Sequence, residues 1–200
     1  MSLRLVTILY FVFVILLLIV GYTFAADNAI TVDQVGSSNT VTIEQVGKGH
    51  SVAVNLGNIT DVDNTVLTIL QQGTGPKTAA VAIPSGINNS VNIQQDGAGN
   101  HIASIQNLNG SGNSVTVNQS GAGKHEFNVV NGAGTNNSGN TISGTQSGAV
   151  GSDKWFNVWL NGATGATVNV VQDSATTADQ ASMNIQCLSG TCGNFSYIKH

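Results

Sequence analysis

Apolar and polar residues alternate along much of the chain after residue 27. In the stretch 39–45, the odd positions are Asn, Val, Ile and Gln, whereas the even positions are Thr, Thr and Glu. A period of two indicates a β-strand with one inward and one outward face, and Val, Ile and Thr favour strands. Short Gly- and Ser-rich clusters such as 36–38 separate the strands, as turns require. We expect no helix after the N-terminal segment.

The same strand recurs along the chain. Units that begin at Asn28 and Asn39 match at every marker position, and further clear copies begin at residues 50, 89, 100, 113 and 140. Weaker copies begin near residues 65, 78, 125, 154, 166, 181 and 194. Such a period is typical of repeat architectures, because one short unit cannot bury its apolar face alone. The sequence predicts an all-β fold, a β-solenoid of stacked strand–turn–strand repeats with about seven two-strand turns.

Amide side chains stand at both ends of the repeated strand and are expected inside the coil, at its corners. A buried amide costs free energy unless its hydrogen bonds are made. When identical amide side chains of successive turns stack on one another, these hydrogen bonds are made, because each amide donates to one neighbour and accepts from the other. We therefore predict structural ladders that also mediate self-assembly, formed by Gln34, Asn39, Gln45, Gln95, Asn100, Gln106, Asn113 and Gln119.

The first 26 residues form a separate segment. Residues 5–20 are almost wholly apolar, Arg4 precedes them, and small residues that include Ala25 and Ala26 follow. This order is that of a secretory signal peptide, with cleavage expected near Ala25 or Ala26. The apolar run is also close to the ~20 residues that span a bilayer, so a retained membrane anchor is the alternative. Both interpretations place the rest of the chain outside the cytoplasm.

The amino-acid composition and net charge exclude some classes of function. Only 8% of the residues are charged, the formal net charge is -4, and 23 Asn and 12 Gln supply polarity instead. Without a basic stripe, the chain is not expected to bind nucleic acid. Cys187 and Cys192 are expected to form a disulfide, because an exported chain favours one and no Cys or His partner stands at zinc spacing. We assign no catalytic, cofactor-binding or metal-binding residues and predict that the protein is not an enzyme.

Two pairs of carboxylates are candidates for a cation site or a catalytic site. For each pair, a purely structural interpretation is favoured. Asp61 and Asp63 could hold a hard cation such as Ca²⁺, but a solvated loop that interrupts stacking is favoured. Asp33 and Glu44 occupy the same slot of consecutive units, which suggests a glycosidase pair. A two-strand turn, however, places those slots on opposite outer faces, so charge separation is favoured instead.

The histidines and tryptophans are further candidates for a binding role. His50, His101 and His125 stand at or beside the corner position that is usually Asn. We interpret them as ladder substitutes rather than a metal cluster, because no acid or Cys joins them at ligand spacing. Trp155 and Trp159 are interpreted as buried residues of a C-terminal cap, with an exposed docking patch as the alternative.

The repeats resemble those of the curlin family, the subunits of bacterial curli fibres. The family pattern Gln-x-Gly-x-x-Asn-x-Val-x-Ile-x-Gln is met in full between Gln34 and Gln45. It is nearly met between Gln95 and Gln106, where Ser104 replaces the second apolar residue. The resemblance is clear over residues 28–56 and 89–121, patchy over 57–88 and thin after 124. The chain is thus expected to divide into a signal peptide or membrane anchor (1–26), a curlin-like repeat solenoid (27–123) and degenerate repeats with a C-terminal cap that contains Cys187 and Cys192 (124–200).

The resemblance implies a secreted, extracellular or cell-surface protein that forms cross-β, amyloid-type fibres for adhesion and biofilm matrix. Its implied partners are other copies of itself, a nucleating or major curlin-like subunit, an export apparatus, and host or abiotic surfaces. It implies no cofactor. A monomeric, capped β-solenoid adhesin or binding module is the alternative that the residues leave open.

Overall fold

The computed structural model describes residues 28–34, 36–56, 62–84, 86–106, 110–131, 136–187 and 191–200. The predicted signal segment lies outside the described residues. Each regular element in the described part is a β-strand. None of the described residues belongs to a helix with the length and apolar character needed to cross a membrane.

Two parallel sheets of seven strands each form the body of the molecule, with strands numbered in chain order. Sheet A contains β1 (Ala29–Thr31), β3 (His50–Ala53), β6 (Lys77–Ala80), β9 (His101–Ile105), β11 (His125–Asn131), β13 (Lys154–Asn161) and β15 (Asp179–Gln186). Sheet B contains β2 (Thr40–Gly47), β5 (Val66–Gly73), β8 (Ser90–Gln95), β10 (Ser114–Gly121), β12 (Thr141–Gly148), β14 (Thr167–Gln172) and β16 (Asn194–Lys199). A short two-stranded sheet, β4 (Val62–Asp63) with β7 (Gly86–Ile87), lines one corner.

The chain passes alternately from one large sheet to the other and so winds as a coil. Seven strands in each sheet correspond to six full turns from the first strand to the last, about 29 Å along the axis at ~4.8 Å per turn. Every strand pair is parallel, and identical residues fall in register, as Gln71, Gln95 and Gln119 do. Both sheets run through the two predicted regions, since β10 pairs with β12 and β9 with β11. The predicted all-β solenoid is confirmed.

Inward residues of the two sheets meet in one continuous core. Leu67, Ile69, Val91 and Ile93 of sheet B are fully or almost fully buried and are typical of it. The core composition changes along the axis, because sheet A contributes small residues in its early turns and aromatic residues later. The clearest example is Phe127, whose ring lies against Gly144; a Cβ on Gly144 would meet the Phe127 ring at 2.5 Å. A missing side chain in sheet B thus makes room for a large one in sheet A.

Glycines stack on one another just after the ladder glutamines of β5, β8 and β10. Gly73, Gly97 and Gly121 have φ values of +103°, +96° and +98°, a region that L-residues with a side chain rarely adopt. A Cβ on Gly73 or Gly97 would also clash with the backbone of the equivalent glycine in the next turn. Because neighbouring turns approach so closely, the corner admits only glycine at this position.

The register of β9 differs from the predicted one by a single residue. The sequence pattern placed Asn100, Ile102, Ser104 and Gln106 inside, whereas the structure buries His101, Ala103 and Ile105. A slip of one residue exchanges the two faces of a strand. The observed register is favoured because it keeps the Ser104 hydroxyl out of the apolar core and aligns His101 with His125. Asn100 and Gln106 are therefore exposed, and their prediction as ladder residues is wrong.

Candidate functional site

A continuous ladder of glutamine side chains runs along six successive strands of sheet B, from β2 to β14. Each Nε2 donates to the Oε1 of the glutamine one turn further on, at distances of 2.8, 2.9, 2.8, 2.8 and 2.7 Å. Five of the six side chains are fully or almost fully buried, and Gln45 at the edge is partly buried. The ladder consists of Gln45, Gln71, Gln95, Gln119, Gln146 and Gln172.

The glutamines also tie the two sheets together. Each Nε2 has a second N–H, which donates to a backbone carbonyl of sheet A: Gln95 to Thr78 O at 2.9 Å and Gln119 to Ile102 O at 2.9 Å. A Gln amide has two donors and one acceptor oxygen. A mid-ladder glutamine therefore satisfies its hydrogen-bonding groups in a dry environment, which offsets the cost of burying them.

The two ends of the glutamine ladder differ. At the N-terminal end, Gln45 Oε1 is shielded from solvent and has no donor within the described residues. At the C-terminal end, Gln172 Nε2 donates to Asp179 Oδ2 at 2.8 Å. That carboxylate also accepts from the Tyr197 hydroxyl, at 2.9 and 3.0 Å to its two oxygens. Burial, followed by the Asp179 hydrogen bond and charge, raises the pKa of Tyr197. The ladder is thus open at one end and closed at the other.

Asparagines form a second, shorter ladder at the corner where the chain enters sheet B. Asn113 Nδ2 donates to Asn89 Oδ1 at 3.2 Å, and Asn140 Nδ2 donates to Asn113 Oδ1 at 3.1 Å. Each Oδ1 also accepts a backbone N–H of the next turn. Asn39 lies at the same corner, where its Oδ1 accepts from Thr65 N at 2.9 Å. Thr65 interrupts the amide series, and its buried hydroxyl oxygen has no partner among the described residues.

Basic side chains occupy the corner where the chain enters sheet A. His50, Lys77, His101, His125 and Lys154 are all at most 1% exposed and follow one another in register. The histidine rings bind backbone carbonyls through Nε2, at 3.1 Å to Val46 O, 2.7 Å to Asp96 O and 2.9 Å to Ser120 O. We call this column the basic corner.

The buried lysines are held by backbone oxygens rather than by carboxylates. Lys77 Nζ donates to Gly75 O, Gly97 O and Gly99 O at 2.8, 2.9 and 2.9 Å. Lys154 makes three equivalent bonds, to Ser152 O at 3.1 Å, Ser174 O at 3.0 Å and Thr177 O. Burial lowers the pKa of both lysines, and nearby aspartates oppose this effect. Each ammonium therefore stabilises the turns around it, because it donates hydrogen bonds to three backbone carbonyl groups.

Burial also lowers the pKa of two histidines of the basic corner. The pKa of His101 falls to about 4, chiefly through desolvation. The pKa of His125 is lowered for the same reason, and the adjacent Lys154 adds to the effect. Both rings are therefore neutral at pH 7. The histidines thus lie in a column separate from the asparagine ladder, where they bond to backbone carbonyls and leave Nδ1 without a partner among the described residues.

The structure separates the predicted ladder residues into two groups. Gln45, Gln95 and Gln119 lie in the glutamine ladder, and Asn39 and Asn113 lie at the asparagine corner. Outside the ladders lie the two displaced residues of β9 and Gln34. Gln34 is exposed because it follows the edge strand β1, and its counterpart one turn on is the buried Leu56 rather than an amide.

Several functional residues escaped the sequence analysis. Gln71 and Gln146 each precede a glycine by two positions, as Gln95 and Gln119 do, and this spacing could have found them. Gln172 has no such glycine. Lys77 follows Gln71 by six residues, the same offset that separates Gln95 from His101. A lysine, however, is seldom fully buried, so its type argued against an inward position.

The remaining candidates are placed as follows. Cys187 and Cys192 form a disulfide with a Cα–Cα distance of 5.8 Å, which links β15 to β16. Asp61 lies outside the described residues, and Asp63 Oδ1 accepts from the backbone N and Oγ of Ser37 at 2.5 and 3.0 Å. Among the described residues, no three His, Cys, Asp or Glu side chains are grouped as metal ligands.

The tryptophans lie on the outer surface of sheet A. Trp159 is 43% exposed and Trp155 is half-buried. Their prediction as buried cap residues is wrong, and the aromatic core is made by Phe127 and Phe156 instead, with ring centroids 6.0 Å apart. Trp155 and Trp159 alternate with core residues of β13, so strand parity turns them outward.

Fold and site together define a β-solenoid whose corners are lined with amide ladders. Residues 25–55 match the Curlin associated repeat, and the resemblance of the sequence to curlin repeats is confirmed. No curated protein and no solved structure matches the chain.

Proposed function

We propose that this protein is a subunit of curlin-like extracellular fibres and that it is exported and stacks end to end with other copies. The observation that carries the proposal is the Oε1 of Gln45, which has no donor among the described residues and lies at the open end of an otherwise continuous ladder. A buried acceptor without a donor costs about 1–3 kcal/mol. A donor from the last turn of another copy would remove this cost.

The C-terminal turn offers a matching donor. Lys199 is aligned with Gln172 in sheet B, so it stands in the column of the glutamine ladder, and its side chain is exposed. When β16 of one copy pairs with β2 of the next in the same parallel register, Lys199 comes to lie beside Gln45. The direction also fits, because every bond between glutamines of this ladder has its donor on the N-terminal side.

Apolar groups at the two ends support the same arrangement. Ile30 and Val32 occupy inward positions of the edge segment, yet they are 54% and 46% exposed. At the other end, Phe195 and Tyr197 pack only partly against the core. The outer strands β1, β2, β15 and β16 also present unpaired backbone groups, which favour addition of further strands. End-to-end stacking buries both kinds of group.

The proposed role is extracellular: a fibre used for cell adhesion and biofilm matrix. Its partners would be further copies of the chain, a nucleating or major curlin-like subunit and an export apparatus, with host or abiotic surfaces as targets. The curlin repeat at residues 25–55 supports this role. A structural rather than catalytic function fits a chain whose buried polar groups are occupied in holding successive turns together.

One observation favours a second candidate, a monomeric capped adhesin. The ladder closes on Asp179 and Tyr197 at its C-terminal end, and the disulfide ties the last two strands together. These features protect an edge from pairing, as natural sheets do.

Seeded growth of the purified protein, followed by fibre diffraction, tests the proposal. We expect concentration-dependent fibres with a ~4.7 Å meridional reflection, the spacing between hydrogen-bonded strands. A protein that stays monomeric at high concentration for days, with or without seeds, would support the capped monomer instead.

A further inference from the structure

One face that takes no part in the ladders carries both tryptophans of the chain. Trp155 and Trp159 point outward from β13, four residues apart, which separates them by ~13 Å at ~3.3 Å per residue. We call the outer surface of β11, β13 and β15 around them the tryptophan face. Tryptophan is highly buried on average, so two outward-facing tryptophans on one strand distinguish this face from the rest of the coil.

The surroundings of the two rings are polar rather than apolar. Trp155 is flanked across the sheet by Glu126 on β11 and Gln180 on β15. Trp159 is flanked by Val130 and Asn184. Hydrogen-bonding side chains thus stand beside each ring, and the rings do not merge into one apolar patch.

A cleft of about 120 Å³ adjoins the first ring. It is lined by Lys124, Glu126, Asp153, Lys154, Trp155 and Gln180. The Lys154 ammonium donates to three backbone carbonyls beneath the surface. The other side chains give the cleft an ammonium and an amide as donors, and two carboxylates and the amide oxygen as acceptors.

We propose that the tryptophan face binds an extended neutral polysaccharide. Sugar rings present apolar C–H faces, which pack on aromatic rings, and hydroxyl groups at their edges, which both donate and accept hydrogen bonds. Two rings spaced along one strand, with donors and acceptors between and beside them, match both features of such a chain. The cleft beside Trp155 would hold one sugar unit, and Trp159 would support a unit further along.

Charge distinguishes this ligand from others. Glu126 and Asp153 line the cleft and, in a chain of net charge -4, oppose the approach of acidic polysaccharides and nucleic acids. The same carboxylates disfavour contact with an anionic bilayer, which attracts lysine and arginine instead. A neutral, hydroxyl-rich ligand meets balanced donors and acceptors without repulsion.

The proposal does not depend on fibre formation. Stacking uses the strand edges at the two ends of the coil, whereas the tryptophan face looks sideways. A stacked fibre would therefore repeat the face once per subunit, and a monomer would present it once.

Intrinsic tryptophan fluorescence tests this inference directly, because both reporters lie in the proposed site. The neutral hexasaccharides cellohexaose, laminarihexaose and hexa-N-acetylchitohexaose are titrated into freshly purified protein, with calorimetry alongside. We expect at least one to shift the emission and bind saturably. Trp155→Ala and Trp159→Ala should each weaken binding about tenfold, the loss of ~1.4 kcal/mol, whereas Trp155→Phe should keep most of the affinity.

Three controls decide the outcome. Val66→Ala removes an apolar side chain of similar exposure, 48%, from sheet B and should leave binding unchanged. Hexagalacturonate serves as the acidic probe, and phosphatidylglycerol vesicles serve as the membrane probe. The proposal is overturned when no neutral hexasaccharide binds, when Trp155→Ala and Trp159→Ala both bind like the parent, or when the acidic or vesicle probe binds more tightly.

Discussion

His101 stacks directly on His125 in the next turn of the coil, with ring centroids 4.9 Å apart and planes 7° from parallel. Both rings are buried, and they lie between Lys77 and Lys154, their neighbours on either side in the basic corner. The charge of Asp96 acts on Lys77, and that of Asp153 acts on His125. Lys154 is acted on by the charges of Asp179, Asp153 and Asp173. A proton added to either ring would therefore place a charge in a dry corner that already holds two ammonium groups.

We predict that acid destabilises the fold through these two histidines. The pKa of His101 is about 4 in the folded chain against 6.5 in the unfolded one, so the unfolded state binds the proton first as the pH falls. Stability is then full above pH ~6.5 and declines down to pH ~4, by up to about 3 kcal/mol for this residue. Urea unfolding midpoints between pH 7.5 and 4 measure the decline.

Substitution identifies the groups responsible for this dependence. His101→Gln with His125→Gln should flatten the profile over that range, because a glutamine does not titrate. His200→Gln is the matched control, since His200 is exposed at the end of the chain. A parent profile that is already flat between pH 6.5 and 4, or that stays steep in the double variant, would contradict the prediction.

A glutamine in the middle of the ladder should contribute more to stability than an outward residue of the same strand. Gln119→Ala removes bonds to Gln95, Gln146 and Ile102 O. Each group left without a partner costs about 1–3 kcal/mol. Thr116→Ala, on the outer face of β10, should change stability by less than ~0.5 kcal/mol. Denaturant unfolding compares the two, and equal midpoints would refute a stabilising ladder.

Assembly should depend on the two ladder ends. Gln45→Ala removes the free acceptor and should slow seeded elongation much more than the outward Thr42→Ala. Lys199→Glu places a carboxylate against that acceptor and should stop elongation, whereas Lys199→Gln retains an N–H donor and should support it. Elongation rates at equal concentration, with parent seeds, measure the effect. If the Glu and Gln variants elongate alike, Lys199 does not meet Gln45.

Gly144 and Phe127 form a size-matched pair across the core. A Cβ at position 144 would meet the Phe127 ring at 2.5 Å, so Gly144→Ala should destabilise the fold by about 1–3 kcal/mol. Phe127→Leu is destabilising alone but makes room for the new methyl group. The double variant should therefore lose less unfolding free energy than the two single variants lose together. A double-mutant cycle of unfolding free energies measures this difference. Strict additivity would rule out the proposed clash.

Reduction of the Cys187–Cys192 disulfide should loosen the end of the coil without unfolding it. The bridge links β15 to β16 across a short connection. Closing so short a loop removes little entropy from the unfolded chain. Hydrogen exchange under reducing conditions should speed up in β16 and stay unchanged in β10 and β12. Faster exchange throughout the sheets would mean that the bridge supports the whole fold.

The sequence by itself determined the strands and their arrangement as a coil. Alternation with period two fixes which residues of a strand share a face, and a repeat of that strand requires stacking, because a single unit has no core. Local patterns carry this information, so the solenoid and the inward positions of Gln45, Gln95 and Gln119 could be predicted from the residues alone.

Only the tertiary structure decided the register of β9 and the course of the ladders. Each parity of β9 presents one isoleucine inward, Ile102 in the predicted register and Ile105 in the observed one. The choice depends on His101 meeting His125 and Lys77 in neighbouring turns. Gln34 has the ladder residue type, but its neighbour one turn on is Leu56. A ladder is a property of a column of residues far apart in sequence. Buried Lys77 and Lys154 show the same principle, since three carbonyl groups of surrounding turns make each burial possible.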